Sequence, residues 1–157
     1  MNTKRNLRLL VTLAALGASP AVLAAKQGTE VASQADPMRL RTGQFEGQGH
    51  ETSGSASVYQ LADGRKVLRL EDFRTDNGPD LRVYLVEGDD AGDDSVIKTG
   101  RIVDLGALKG NAGNQNYELP ADVDLDRFRS VSIWCKRFSV NFAAAPLQAA
   151  EGQAGGR

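Results

Sequence analysis

One cysteine, one histidine and one tryptophan occur in 157 residues. A single thiol closes no disulfide within the chain, so the fold has no covalent framework. A single histidine leaves a blue-copper centre, which takes two His and one Cys, without its ligands. The usual catalytic zinc sets are short of ligands for the same reason. No Cys-x-x-Cys-His is present, which excludes covalently attached c-type haem. Net charge is −1, so there is neither the basic excess of a nucleic-acid binder nor the acidic excess of a solvating tail. Aromatic residues are few and no apolar run is long enough to cross a bilayer. Glycine is abundant, at 17 residues, which favours a chain with many turns. The length suits one domain of ordinary size with tails.

The opening stretch has the three regions of a secretory signal. Lys4, Arg5 and Arg8 are positive, Leu9 to Leu16 is a short apolar run, and Val22-Leu23-Ala24 is a small-residue cleavage site. We expect a signal peptide over residues 1–24, no membrane span after its removal, and export to the periplasm or the exterior. No cysteine follows the apolar run, so a lipid anchor is not expected. Residues 25–42 are polar and aperiodic and read as a flexible arm; residues 148–157 read as a disordered tail. The folded domain is expected over residues 43–147.

Within that domain the period is two. Ala56 and Val58 alternate with Ser57 and Tyr59, Asp63-Gly64 offers a tight turn, and Val67, Leu68 and Leu70 resume an apolar strand. Asn77-Gly78-Pro79-Asp80 is a turn by composition, and Leu81, Val83 and Leu85 share one strand face. Shorter strands are expected near residues 102–105 and 117–119, and the segments 131–135 and 138–143 close the domain. The acidic run 87–94 reads as a solvated loop, with weak calcium binding as the alternative. Short strands between turns, with no long helical period, predict an all-β fold, an antiparallel β-sandwich or barrel.

Cys135 shares a strand face with Val131 and Ile133, whereas Phe138, Val140 and Phe142 fall on the other parity. One unbroken strand cannot bury both sets. A bulge or a turn is therefore expected near Lys136-Arg137, beside the cysteine. From the residues alone Cys135 is a buried structural thiol, an intermolecular partner, or a thiolate favoured by the neighbouring cations. His50 lies in the glycine-rich stretch GQGHETSG. Gly49 and Gly54 have the spacing of a phosphate loop, but Ser55-Ala56 stands where Lys-Ser/Thr is required. The acidic residues Asp122, Asp124 and Asp126 begin an EF-hand pattern that Arg127 and Ile133 break. No Ser/His/Asp or Cys/His/Asn set is evident, and a hydrolase has no support.

Several separated blocks resemble the DM13 domain. They are Phe45 and His50 with Ser53-Gly54; Leu68 to Phe73; Gly78-Pro79-Asp80-Leu81 with Tyr84-Leu85; Leu105-Gly106 with Leu108-Lys109-Gly110; Tyr117 with Pro120; and Trp134-Cys135. The resemblance covers residues 43–147. It implies a β-sandwich related to the DOMON cytochrome domains, with a proposed redox or electron-transfer role centred on Cys135. Under that resemblance non-covalent haem or a metal enters consideration, with Cys135, His50 or Met38 as the ligand. A redox partner protein or a small ligand would then be the partner. The alternative is a non-catalytic extracellular binding module in which Cys135 is part of the core. Whether the domain is an enzyme is left open by the sequence.

Overall fold

A computed structural model of the chain describes residues 36–151. In chain order the elements are β1 (Met38–Gln44), β2 (Glu46–Gly47), β3 (Thr52–Gln60), β4 (Lys66–Thr75), β5 (Leu81–Val86), α1 (Asp94–Lys98), β6 (Ile102–Ala107), β7 (Gln115–Glu118), β8 (Ser130–Cys135), β9 (Val140–Pro146) and β10 (Gln148–Ala149). They form two five-stranded antiparallel sheets, β10-β1-β3-β4-β7 and β2-β9-β8-β5-β6. The expected β-sandwich is the fold. No described helix is long and apolar enough to cross a membrane.

The main core follows from alternation. Ala56 and Val58 of β3, with Leu68 and Leu70 of β4, meet Val83, Leu85, Val131 and Ile133 of the other sheet. The Asp63-Gly64 turn links β3 to β4, with Gly64 at φ 86° and the Leu61 amide donating to the Arg65 carbonyl at 2.8 Å. Phe73 should point outward by the parity of Leu68 and Leu70. It is buried because β4 carries a bulge: Ser53 pairs with Arg74 but Ser55 pairs with Glu71. The extra residue resets the parity, and Phe73 packs edge-on against Phe45 at 5.1 Å.

A second apolar cluster lies on the outer face of the other sheet. Tyr84, Val86, Trp134 and Ala144 are covered there by Ala91 and Ile97. Asp89, Asp90 and Asp93 of the acidic run are exposed, as the sequence suggests, while Ala91 within the run and Ile97 of α1 turn inward to form the cover. Asp93 caps α1 by accepting from the Ser95 amide at 2.8 Å, and the carboxylate of Asp94 accepts from the Asn141 amide at 3.1 Å. The Asn141 side chain donates to the Ala91 carbonyl and accepts from the Ser132 hydroxyl at 2.9 Å. Asn141→Ala strands both buried groups. We expect a loss of about 2 kcal/mol in urea unfolding, with red-shifted Trp134 emission as the cover loosens.

The domain edges also differ from expectation. Residues 38–42, assigned to the flexible arm, belong to β1, which pairs with β3 from Met38↔Gln60 to Gln44↔Ser55. The polar side chains hid a strand whose partner, not its own period, fixes it. Gln148 and Ala149, assigned to the disordered tail, pair with Thr42 and Arg41. The expected signal peptide, residues 25–35 of the arm and residues 152–157 of the tail lie outside the described residues.

Candidate functional site

Cys135 is the last residue of β8. Val131, Ile133 and Cys135 face the main core, while Ser130, Ser132 and Trp134 face the second cluster side. Of the two irregularities that the parity change allowed near Lys136-Arg137, the turn is the one found there, and a separate bulge falls at Phe142. Residues 136–139 form a turn with Ser139 at φ 54°. Beyond it, Ile133 pairs with Ala143 and Trp134 with Asn141, which leaves Phe142 as a bulged extra residue in β9. The turn sets Val140 opposite Cys135, so Phe142 shares its core by alternation, and the bulge brings Ala143 into the same core. Phe138, expected in that set, sits in the turn with 62% exposure.

The sulfur is not at the surface. Cys135 has 0% exposure and stands opposite Leu81 in one ladder and Val140 in the other. Lys136 and Arg137 are exposed in the turn, away from the inward face that carries the thiol. The turn is anchored by the Lys136 amide, which donates to the Asp80 carbonyl at 2.9 Å.

His50 lies at the same end of the sandwich. Its ring stacks on Phe142 with centroids 3.5 Å apart and planes at 12°. Its Nδ1 is 3.4 Å from an Asp76 carboxylate oxygen, and the Gln48 amide donates to the Phe142 carbonyl at 2.8 Å. A cavity of about 220 Å³ opens beside this cluster, walled by Gly78, Pro79, Asp80 and Leu81 on one side and Ala107, Leu108 and Asn111 on the other. Leu81 is thus both a wall of the cavity and the ladder neighbour of Cys135. In the sequence, Asn77 to Asp80 read as a turn and Gly78 to Leu81 as a block of the DM13 resemblance; nothing there marks Asp76, Leu81 or Phe142 as site residues, because no local pattern marks a contact made across sheets.

The far wall is held by a small polar network. The Tyr117 hydroxyl accepts from the Lys109 amide at 2.9 Å and donates to Gln115 Oε1 at 2.7 Å. The Gln115 amide nitrogen donates to the Gly110 carbonyl at 2.7 Å. Burial pushes the Tyr117 hydroxyl above the ordinary tyrosine pKa, and burial does the same at Tyr84. A raised folded-state pKa supports the fold below the unfolded value and withdraws that support above it. Stability should therefore fall as pH rises past about 10, where the unfolded chain loses these protons first. Tyr117→Phe should weaken this alkaline decline in urea midpoints while lowering stability at neutral pH, since the Lys109 amide loses its acceptor.

Fit to a bound group can be judged from these positions. Among the described residues no cluster of three or more His, Cys, Asp and Glu side chains can hold a metal. Met38 and His50 lie at opposite ends of the nine-residue β3, about 30 Å apart, and cannot be paired haem ligands. Cys135 does not line the cavity, and pockets for drug-sized ligands span roughly 300–1,000 Å³. The thiol in this arrangement does not fit a haem.

A family model described as "Electron transfer DM13" matches residues 44–147. The chain belongs to the DM13 family. The matched span holds both His50 and Cys135 and begins six residues inside the first strand of the DM13 domain seen here. No curated protein and no solved structure matches the chain.

Proposed function

We propose that this chain is an exported DM13 redox module in which Cys135 is the group that is oxidised and reduced. The observation that carries the proposal is the electron-transfer family match over a domain with one thiol. Export rests on the signal-like residues 1–24. Because the thiol does not fit haem or a metal here, the chemistry is that of the sulfur itself. The thiolate attacks one sulfur of a partner disulfide, forms a mixed disulfide and expels the other sulfur as a thiolate; a partner thiol reverses the step. Access requires the 136–139 turn or Leu81 to move, and such local openings range in free energy from near zero up to that of global unfolding.

The test uses the purified mature protein, oxidised glutathione and intact-mass analysis. The proposal expects a single glutathione adduct on Cys135, removed by excess thiol, and none in Cys135→Ala. An absorption spectrum of protein from its natural compartment checks the absence of a chromophore. Full burial of Cys135 favours a second reading, a binding module with a core cysteine. That reading expects no adduct from the native protein.

A further inference from the structure

The outer face of the sheet that contains β3 and β4 holds a concavity of about 300 Å³ far from the chemistry above. Its apolar floor is formed by Pro37, Tyr59, Leu61 and Val67, with Arg69, Glu71 and Asn116 at one edge. The strand register builds this surface. Tyr59 pairs directly with Val67, and Arg69 pairs with Asn116, so the aromatic ring and the polar edge occupy neighbouring rows of one face.

The polar edge is held in place before anything binds. Arg69 Nε donates to Glu71 Oε1 at 3.2 Å, and Arg69 Nη1 donates to Asn116 Oδ1 at 3.0 Å. A guanidinium has five N–H donors, so three remain after these two bonds. Glu71 Oε2 keeps its acceptor sites. Arg69 and Glu71 are only about a third exposed, which reduces the entropy lost when a ligand fixes them. Their charges cancel. The next group along the face, Arg65 with Asp63 at 2.8 Å and Glu118 at 3.6 Å, carries one excess negative charge, which further disfavours an anion.

A neutral donor–acceptor edge beside an aromatic and aliphatic floor selects against ions. It suits an uncharged ring that lays an apolar face on Tyr59 and Val67 and turns hydroxyls toward Arg69 and Glu71. The geometry points to a binding site for a neutral, hydroxyl-bearing ring on this face. Sugar rings and phenolic rings share that chemistry. The site is independent of Cys135 and stands whether or not the thiol is redox-active.

The experiment is a backbone-amide NMR titration of the mature protein with cellotetraose, catechol and, as a charged ring, benzoate. We expect cellotetraose or catechol to shift the signals of Tyr59, Val67, Arg69 and Asn116 and to leave β5 and β8 unmoved. Whichever neutral probe binds identifies the source of the ring. Tyr59→Ala and Arg69→Ala should each weaken it at least tenfold, with unchanged Trp134 emission showing that the fold is intact. Benzoate should bind more weakly than the neutral probe, and Glu71→Gln, which leaves the Arg69 charge uncompensated, should reverse that order. The proposal is overturned if neither neutral probe shifts this face, or if binding is indifferent to both Tyr59→Ala and Arg69→Ala.

Discussion

Gly54→Ala is expected to destabilise the domain by about 3 kcal/mol or more. Gly54 lies at φ 103°, a region that side-chain-bearing residues avoid. A Cβ built there would lie 2.7 Å from the Glu71 carbonyl oxygen and 2.7 Å from the Phe73 Cα. Those are backbone atoms on the bulged strand, so no rotamer change relieves the contact. The bulge is also what turns Phe73 inward, with Asp72 at φ 49° and its amide held by the Asn114 side chain at 2.8 Å. The substitution therefore strikes the backbone device that completes the core. A urea titration followed by Trp134 emission measures the loss. Gly64→Ala is the control: φ there is 86° but a Cβ would meet nothing within 4 Å, so only the backbone strain of about 1 kcal/mol is expected.

Cys135→Ala should remove all thiol chemistry while leaving the domain folded at a cost of about 1–2 kcal/mol, the price of a small void among core side chains. Cys135→Ser should be worse in stability, by about 2 kcal/mol, because its hydroxyl enters an apolar cluster. The two variants therefore separate chemistry from packing. If the sulfur carries electrons, both lose electron transfer completely although their stabilities differ. If the sulfur is only core, any partner binding by the domain follows stability, and Cys135→Ala outperforms Cys135→Ser.

Much of the sandwich was legible. Alternation at Ala56 and Val58, the Asp63-Gly64 turn, and the face shared by Leu81, Val83 and Leu85 are local patterns that the sheets preserve. The parity change after Cys135 announced an irregularity next to the thiol, and the 136–139 turn is there, with a bulge further on at Phe142. What escaped was non-local. β1 is polar and is defined by pairing with β3; α1 is five residues long and is held by Asn141 from a strand remote in sequence. Trp134 faces away from Cys135 beneath α1, an arrangement that follows from strand alternation, but the cover over it required the fold. The stacking of His50 on Phe142 joins two segments that no spacing rule relates.

The decisive measurement compares two rates on the same protein: labelling of Cys135 by oxidised glutathione under native conditions, and global unfolding followed by Trp134 emission. A sulfur that serves as the redox group must be reached by local opening near residues 136–139, so adduct formation should run well ahead of unfolding and saturate at one per chain. Labelling that never exceeds the unfolding rate would contradict the account and leave Cys135 as a core residue.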